Sequence, residues 1–182
     1  MLELALHILD IAENSTRAGA KNISIDIEED DMRDIFRMDI SDDGSGMNHE
    51  MLQRVLDPFY TTKKVRRVGL GLPMLKEAAE RTGGSFSITS KMGIGTTVSV
   101  TFGLSNIDRQ PLGDIPGVLV ALITGNPDVD FRYTHRTGHG CYEMDTKSIR
   151  KELEDIPIQR IEVLQFIRRH VQEGLQEIAS LA

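Results

Sequence analysis

The chain has 182 residues, is 40% hydrophobic and 27% charged, and carries a formal net charge of −7. That allows one sizeable core, or one core with a small appendage, and argues against general nucleic-acid affinity. A single cysteine, Cys141, excludes an internal disulfide and points to a reducing compartment, hence the cytoplasm. The start of the chain carries Glu3 and no basic stretch, so it does not read as a signal peptide, and the longest apolar runs are too short to span a bilayer.

Leu4, Ile8, Ile11 and Ala12 have helical spacing, with Gly19 as the stop. From Asn22 to Glu28 the residues alternate, with Ile23, Ile25 and Ile27 on one side, which predicts a half-buried strand. Glu29, Asp30 and Asp31 read as a turn, and Ile35 to Ile40 as the second strand of an antiparallel hairpin. Ser41 to Gly46 is a loop by composition, and Asn48 can cap a short helix through Val55. Gly71 to Arg81 predicts a helix with Pro73 in its first turn, stopped by Gly83 and Gly84. Ser85 to Ser90 and Thr96 to Phe102 predict two further strands. The order α-β-β-α-β-β implies one layer of helices on a sheet.

Gln110 to Pro116 reads as a boundary, dividing a domain over 1–106 from a small α+β unit over 117–182. In that unit Gly117 to Thr124 predicts a strand, and Asp130 to Arg136 with His139 to Asp145 a hairpin turning at Thr137-Gly138. Phe131, Tyr133, His135, Tyr142 and Met144 would then face the core, and Arg132 would pair with Glu143. The same register puts His135 and His139 on opposite faces, which disfavours a metal site with Cys141. Thr146 can cap a helix through Leu153, and Ile158 to Leu181 predicts a long amphipathic helix that Gly174 weakens.

Four segments could carry chemistry. Asp10 and Asn14 are one helical turn apart and share a face; their hard oxygens suit Mg²⁺ beside phosphate, although a plain polar face with Glu3, His7 and Arg17 has the same pattern. Asp42, Gly44 and Gly46 follow a strand, where a carboxylate can accept from an exocyclic amine and glycines admit a flat ring; an ordinary Asp-Gly turn looks alike. Thr62 and Lys63 begin a basic stretch leading to Gly69, Leu70, Gly71 and Leu72, where backbone N–H groups at a helix start can face phosphate. No Gly-Lys-Ser/Thr follows, so this is not a P-loop.

In order and form, these segments resemble the boxes of the ATP-binding fold shared by sensor histidine kinases, anti-sigma-factor kinases, DNA gyrase B, Hsp90 and MutL. Asp10 to Ala20 resembles the N box, Asp42 to Gly46 the first glycine box, Asp57 to Lys63 the phenylalanine box, and Gly69 to Leu72 the second glycine box. Gly84 to Phe102, with Gly93-Ile-Gly-Thr-Thr97, resembles the final strand pair. The resemblance implies an α+β fold, a two-layer α/β sandwich of the histidine kinase ATPase type with a small C-terminal unit of hairpin and long helix. It implies ATP and Mg²⁺, with Asn14 on the metal, Asp42 on the adenine amine, Gly44 and Gly46 on the adenine side, and Lys63, Gly69 and Gly71 on the phosphate side. Thr62, Leu70, Leu72 and Thr97 complete the implied contact set, and Asp10 stands where the ATP-hydrolysing branches carry a glutamate base. The chain begins almost at the N box, without the family's phosphoacceptor-histidine domain, so transfer to a protein in trans is expected. Hydrolysis driving a switch, or nucleotide binding without turnover, are the alternatives. A protein partner or substrate is expected at the C-terminal unit, with a homodimer left open and no nucleic-acid or membrane partner.

Overall fold

The computed structural model describes residues 3–56 and 71–180. Helix α1 (Leu4–Arg17) buries Leu4, Ala5, Ile8, Ile11 and Ala12, the stripe its spacing predicts, and Gly19 at φ +80° turns the chain out of it. Strands β1 (Asn22–Asp30) and β2 (Ile35–Asp42) form the expected antiparallel hairpin, with Ile25 opposite Ile40 and Ile27 opposite Met38. The acidic Glu29 and Asp30 belong to β1 instead of the turn, and Glu29 is buried. Its carboxylate is held by His135 and Ser180, partners far away in sequence.

Asn48 caps α2 (His49–Arg54) by accepting from the Met51 N–H. Helix α3 (Gly71–Arg81) precedes the antiparallel pair β3 (Phe86–Lys91) and β4 (Gly95–Gly103), and β4 lies against β2. The segment expected to be a boundary is bonded to α1, since the Leu4 and Ala5 N–H groups donate to the Pro111 and Leu112 carbonyls at 2.9 and 2.8 Å.

The run expected as a strand over Gly117 to Thr124 is a helix, α4 (Ile115–Gly125). Asp114 caps it through the Gly117 N–H at 2.8 Å, Pro116 sits in the first turn, and Ile115, Val118, Leu119, Leu122 and Ile123 are buried. A short continuous apolar run fits a buried strand or a buried helix; here the cap decides.

Strands β5 (Asp130–Thr137) and β6 (Gly140–Asp145) form the second hairpin, with Thr137 opposite Gly140, so that Gly138 and His139 make the turn. The pairing is shifted by two from the expected one, which leaves every side chain on its face: Phe131, Tyr133, His135, Tyr142 and Met144 are buried, and Arg132 Nε still meets Glu143 Oε1 at 3.0 Å. The Thr137 hydroxyl, which accepts from the His139 N–H and donates to the Ile178 carbonyl, anchors the turn. Asp145, not Thr146, caps α5 (Thr146–Leu153); the Thr146 hydroxyl accepts from the Phe131 N–H instead. The last helix, α6, runs over Ile161–Glu177.

All strands join one six-stranded sheet in the order β3-β4-β2-β1-β5-β6, with β5 parallel to β1. One face carries Ile23, Ile25, Ile27, Phe36, Met38, Ile40, Val98, Val100, Phe102, Phe131 and Tyr133, all buried under the helices. Each such side chain contributes about 1.5–3 kcal/mol. The other face is polar, with Ser24, Asp26, Arg37, Asp39, Ser41, Thr97 and Ser99 half-buried or exposed. Helices α3, α1, α4 and α6 pack side by side in that order, completing a two-layer α/β sandwich whose C-terminal part is itself α+β.

Candidate nucleotide site

Helix α1 presents two kinds of residue to the site. Asp10 and Asn14, one turn apart, are half-buried, and Asn14 Nδ2 donates to Asp10 Oδ2 at 3.5 Å. The Asn14 carbonyl oxygen is on the other branch of the same amide. With the Asp10 carboxylate it makes a hard oxygen set that fits Mg²⁺, an ion that keeps several waters and takes phosphate oxygens as further ligands. Ser15, buried on the next position, donates from Oγ to Asp42 Oδ2 at 2.6 Å. From Asp10 to Ser15 the helix rises about 7.5 Å, so α1 connects the acidic end of the site to Asp42.

The start of α3 lies against Asp10: a Cβ on Gly71 would run into Asp10 Oδ2. Only glycine lets a helix begin this close to the carboxylate. The first N–H groups of α3 have no intrahelical acceptor, and with the helix dipole they favour an anion at this end. Leu72 is half-buried and packs on the hydrophobic core. Thr62, Lys63, Gly69 and Leu70 lie outside the described residues.

Asp42 ends β2 on the helix-covered side. Its Oδ1 accepts from the Gly44 N–H at 2.8 Å, opposite the Ser15 bond to Oδ2. The carboxylate is therefore held at both oxygens, and each oxygen retains a lone pair for a ligand amine. Gly44 packs tightly beneath, where a Cβ would meet Asp42 Oδ1 at 2.9 Å and Ala18 Cβ at 3.0 Å. Gly46, at φ +63°, brings its backbone against the Lys91 carbonyl, seating the loop on the β3–β4 turn.

Thr97 is opposite Ser41 and points to the polar face of the sheet, away from Asp42. Thr96 is the residue directly across from Asp42, with its hydroxyl 2.9 Å from that of Ser90. The sequence held the signal: once Val98 pairs with Ile40, two steps along the ladder bring Thr96 to Asp42. Ser15 carries a signal of its own, since a serine among Ile8, Ile11 and Ala12 on a buried stripe needs a polar partner.

His7 lies on α1 about one turn before Asp10. It is 1% exposed, borders Asp10 and the Gly71 backbone, and has its Nε2 3.1 Å from Gln110 Oε1. Burial holds its pKa below the usual 6.5. In the second hairpin, His135 Nε2 is 2.7 Å from Glu29 Oε1 and its Nδ1 is 2.8 Å from the Tyr133 hydroxyl, so both nitrogens are taken by protein groups. His139 and Cys141 are exposed, and among the described residues no group of three or more His, Cys, Asp or Glu side chains could hold a metal ion. No helix of the described residues is long and apolar enough to cross a membrane.

The family model of the histidine kinase-, DNA gyrase B- and HSP90-like ATPases matches residues 2–106. The chain belongs to this family. Among curated relatives, the sensor protein SrrB of Staphylococcus aureus strain NCTC 8325 is 35% identical over 102 residues, which are 53% of this chain and 17% of that protein. The SrrB of strain COL matches to the same extent, so the chain spans 17% of the length of these relatives. Among solved structures, the Aquifex aeolicus MutL ATPase domain complexed with ADP superposes with a TM-score of 0.55 at 14% identity, over 85% of this chain and 68% of that one. The N-terminal domain of a DNA repair protein gives 0.54 at 18% identity, over 80% and 52%. Both share the fold. Since the family model stops at residue 106, the likeness to MutL over 85% of the chain extends into the residues beyond it. The fold is thus that of the histidine kinase-like ATP-binding domains, and the match over residues 2–106 includes Asp10, Asn14 and Asp42.

Proposed function

We propose that the chain binds Mg²⁺-ATP and transfers the γ-phosphoryl group to a protein in trans. The observation that carries this reading is the approach of the α3 N-terminus to Asp10, whose carboxylate accepts from the Asn14 amide, so that helix N–H groups, a carboxylate and a carboxamide are neighbours. Asp42, held by Ser15 and Gly44, takes the adenine amine, and Gly44 and Gly46 border the ring. The α3 N–H groups, with Lys63, Gly69 and Gly71, receive the phosphates. Mg²⁺ bound at Asn14 Oδ1 supplies charge neutralisation at the phosphate oxygens.

Attack by an acceptor oxygen or nitrogen on Pγ breaks the bond to the β–γ bridging oxygen, and that electron pair leaves with ADP. Where the acceptor is a hydroxyl, its proton passes to Asp10, through a water because aspartate is one methylene shorter than glutamate. Phosphoryl transfer rests mainly on positioning and charge stabilisation, so this longer path is compatible with turnover. The acceptor protein docks on residues 117–182, where α6 leaves Ile161 70% and Phe166 50% exposed.

A second reading has one observation in its favour: a carboxylate at a helix N-terminus orients a water as readily as a protein hydroxyl, which makes the chain an ATP-driven switch. Incubation with γ-labelled ATP separates the two. Label on an added partner supports transfer, and inorganic phosphate from the purified chain supports hydrolysis. Saturable binding with neither product leaves a regulatory module, and absence of saturable Mg²⁺-ATP binding sinks all three.

A further inference from the structure

Asp43 follows the carboxylate that faces the base, and its own side chain reaches across the end of the sheet. Its Oδ1 accepts from the backbone N–H groups of Lys21 and Asn22 at 2.7 and 2.9 Å, and its Oδ2 accepts from Asn22 Nδ2 at 2.7 Å. Against the cost of desolvation, these bonds hold the Asp43 pKa below the usual 3.8, so the group is an ionised acceptor at neutral pH. The bonds join the end of β2 to the start of β1, and that start is held from its other side. The Lys21 carbonyl accepts from the Asp130 N–H at 2.8 Å, and Asn22 is opposite Asp130 in the parallel β1–β5 ladder. The Asp130 carboxylate accepts in turn from Arg150 Nε of α5 at 3.1 Å.

The anchored residue sits between two groups of the site. β2 ends at Asp42, and the backbone tie just beyond it, from the Asp43 N–H to the Asn22 carbonyl, is long at 3.3 Å. The next N–H, that of Gly44, donates to Asp42 Oδ1 at 2.8 Å. Its direction follows the backbone dihedrals of Asp43, and anchoring the Asp43 side chain restricts them. We propose that Asp43 is a positioning residue of the nucleotide site: by clamping the loop after β2 to Lys21 and Asn22, it aims the Gly44 N–H at Asp42 Oδ1 and keeps that carboxylate turned to receive an exocyclic amine of the base. This rests on the Mg²⁺-ATP reading above, with Asp42 on the adenine amine. A carboxylate held in one orientation has less freedom to lose when the base arrives. The clamp therefore contributes selectivity for the base and little to binding of the phosphates.

The test compares Mg²⁺-ATP with Mg²⁺-inosine triphosphate, whose base carries a carbonyl oxygen in place of the amine, by titration calorimetry on the full chain. The parent chain should prefer ATP by about a hundredfold or more. Asp43→Ala should narrow that preference about tenfold and change the affinity for inosine triphosphate by less than about twofold. Both nucleotides bind the same folded population, so a general loss of stability would lower both affinities together and leave their ratio unchanged. Asp43→Asn keeps an oxygen for the Lys21 and Asn22 N–H groups, and the Asn22 amide can turn over to accept from the new amide. It should keep the ratio within about twofold of the parent chain. A parental ratio in Asp43→Ala overturns the proposal, and so does an Asp43→Asn ratio as low as that of Asp43→Ala. A parent chain that binds both nucleotides equally contradicts the assignment of Asp42 to the amine, and one without saturable ATP binding contradicts the nucleotide reading; either result overturns this inference as well.

Discussion

Two neighbouring residues on α1 should respond differently to truncation. Asn14→Ala removes the amide oxygen assigned to Mg²⁺, so it should weaken Mg²⁺-ATP binding strongly and leave Mg²⁺-free nucleotide nearly unchanged. Titration calorimetry with and without Mg²⁺ reads this directly, and equal weakening of both would contradict the assignment. Ser15→Ala removes the 2.6 Å bond to Asp42 and loosens the carboxylate that receives the base. The expected loss is about 1 kcal/mol, roughly fivefold in affinity, with and without Mg²⁺ alike. His7 adds a pH dependence. Burial lowers its pKa, against the opposing pull of Gln110 and Asp10, so the unfolded chain takes up the proton first as the solution is acidified. The stability from the neutral ring is complete above the ordinary value of 6.5 and is lost as pH falls through the folded-state value. Denaturant melts across pH 7 to roughly 5 should show a smaller loss of stability in His7→Asn than in the parent chain.

At the scale of elements, local chemistry was legible and distant pairing was not. The α1 stripe, the Asn48 cap and the alternation of β1 are short-range patterns, and the structure has them. The α4 helix escaped because a short apolar run reads either way, and its cap, Asp114, lay in a segment read as a boundary. Nothing near Asn22 to Glu28 announces that β5 will pair with it in parallel, since parallel partners are joined by long crossovers. Within the site the same division holds: Asp10, Asn14 and Gly71 share one end, as their motifs suggest, whereas Thr96 needed the strand register and Ser15 its tertiary partner. Gly174 is a further case. In sequence it is a weak point of α6; in the structure it is buried, and a Cβ there would run into the Tyr142 ring. Helix propensity favours Gly174→Ala by about 1 kcal/mol, but overpacking a core contact costs about 1–3 kcal/mol. The second effect should win, lowering the melting temperature without changing nucleotide affinity.

Across the whole molecule, the question is how far residues 2–106, the part matched by the ATPase family, depend on the rest. Strand β5 covers one edge of β1 from Asn22 to Glu28, and β1 is the strand next to β2, which ends in Asp42. Removing everything after residue 106 would leave β1 as an edge strand with seven residues of unpaired backbone. Such an edge is a template for pairing with another chain. The same truncation removes the Pro111 and Leu112 carbonyls from the start of α1 and takes His135 and Ser180 away from the Glu29 carboxylate. It also strips α4, the neighbour of α1 in the helix layer. These losses all fall on α1 and β1, the elements that place Asp10, Asn14 and Ser15 against Asp42. The 1–106 fragment should therefore melt well below the full chain, associate in a concentration-dependent way by light scattering, and bind Mg²⁺-ATP more weakly. A monomeric fragment with the full chain's nucleotide affinity would mean that the added strands and helices serve the partner alone, and that α1 and β1 hold their geometry without them.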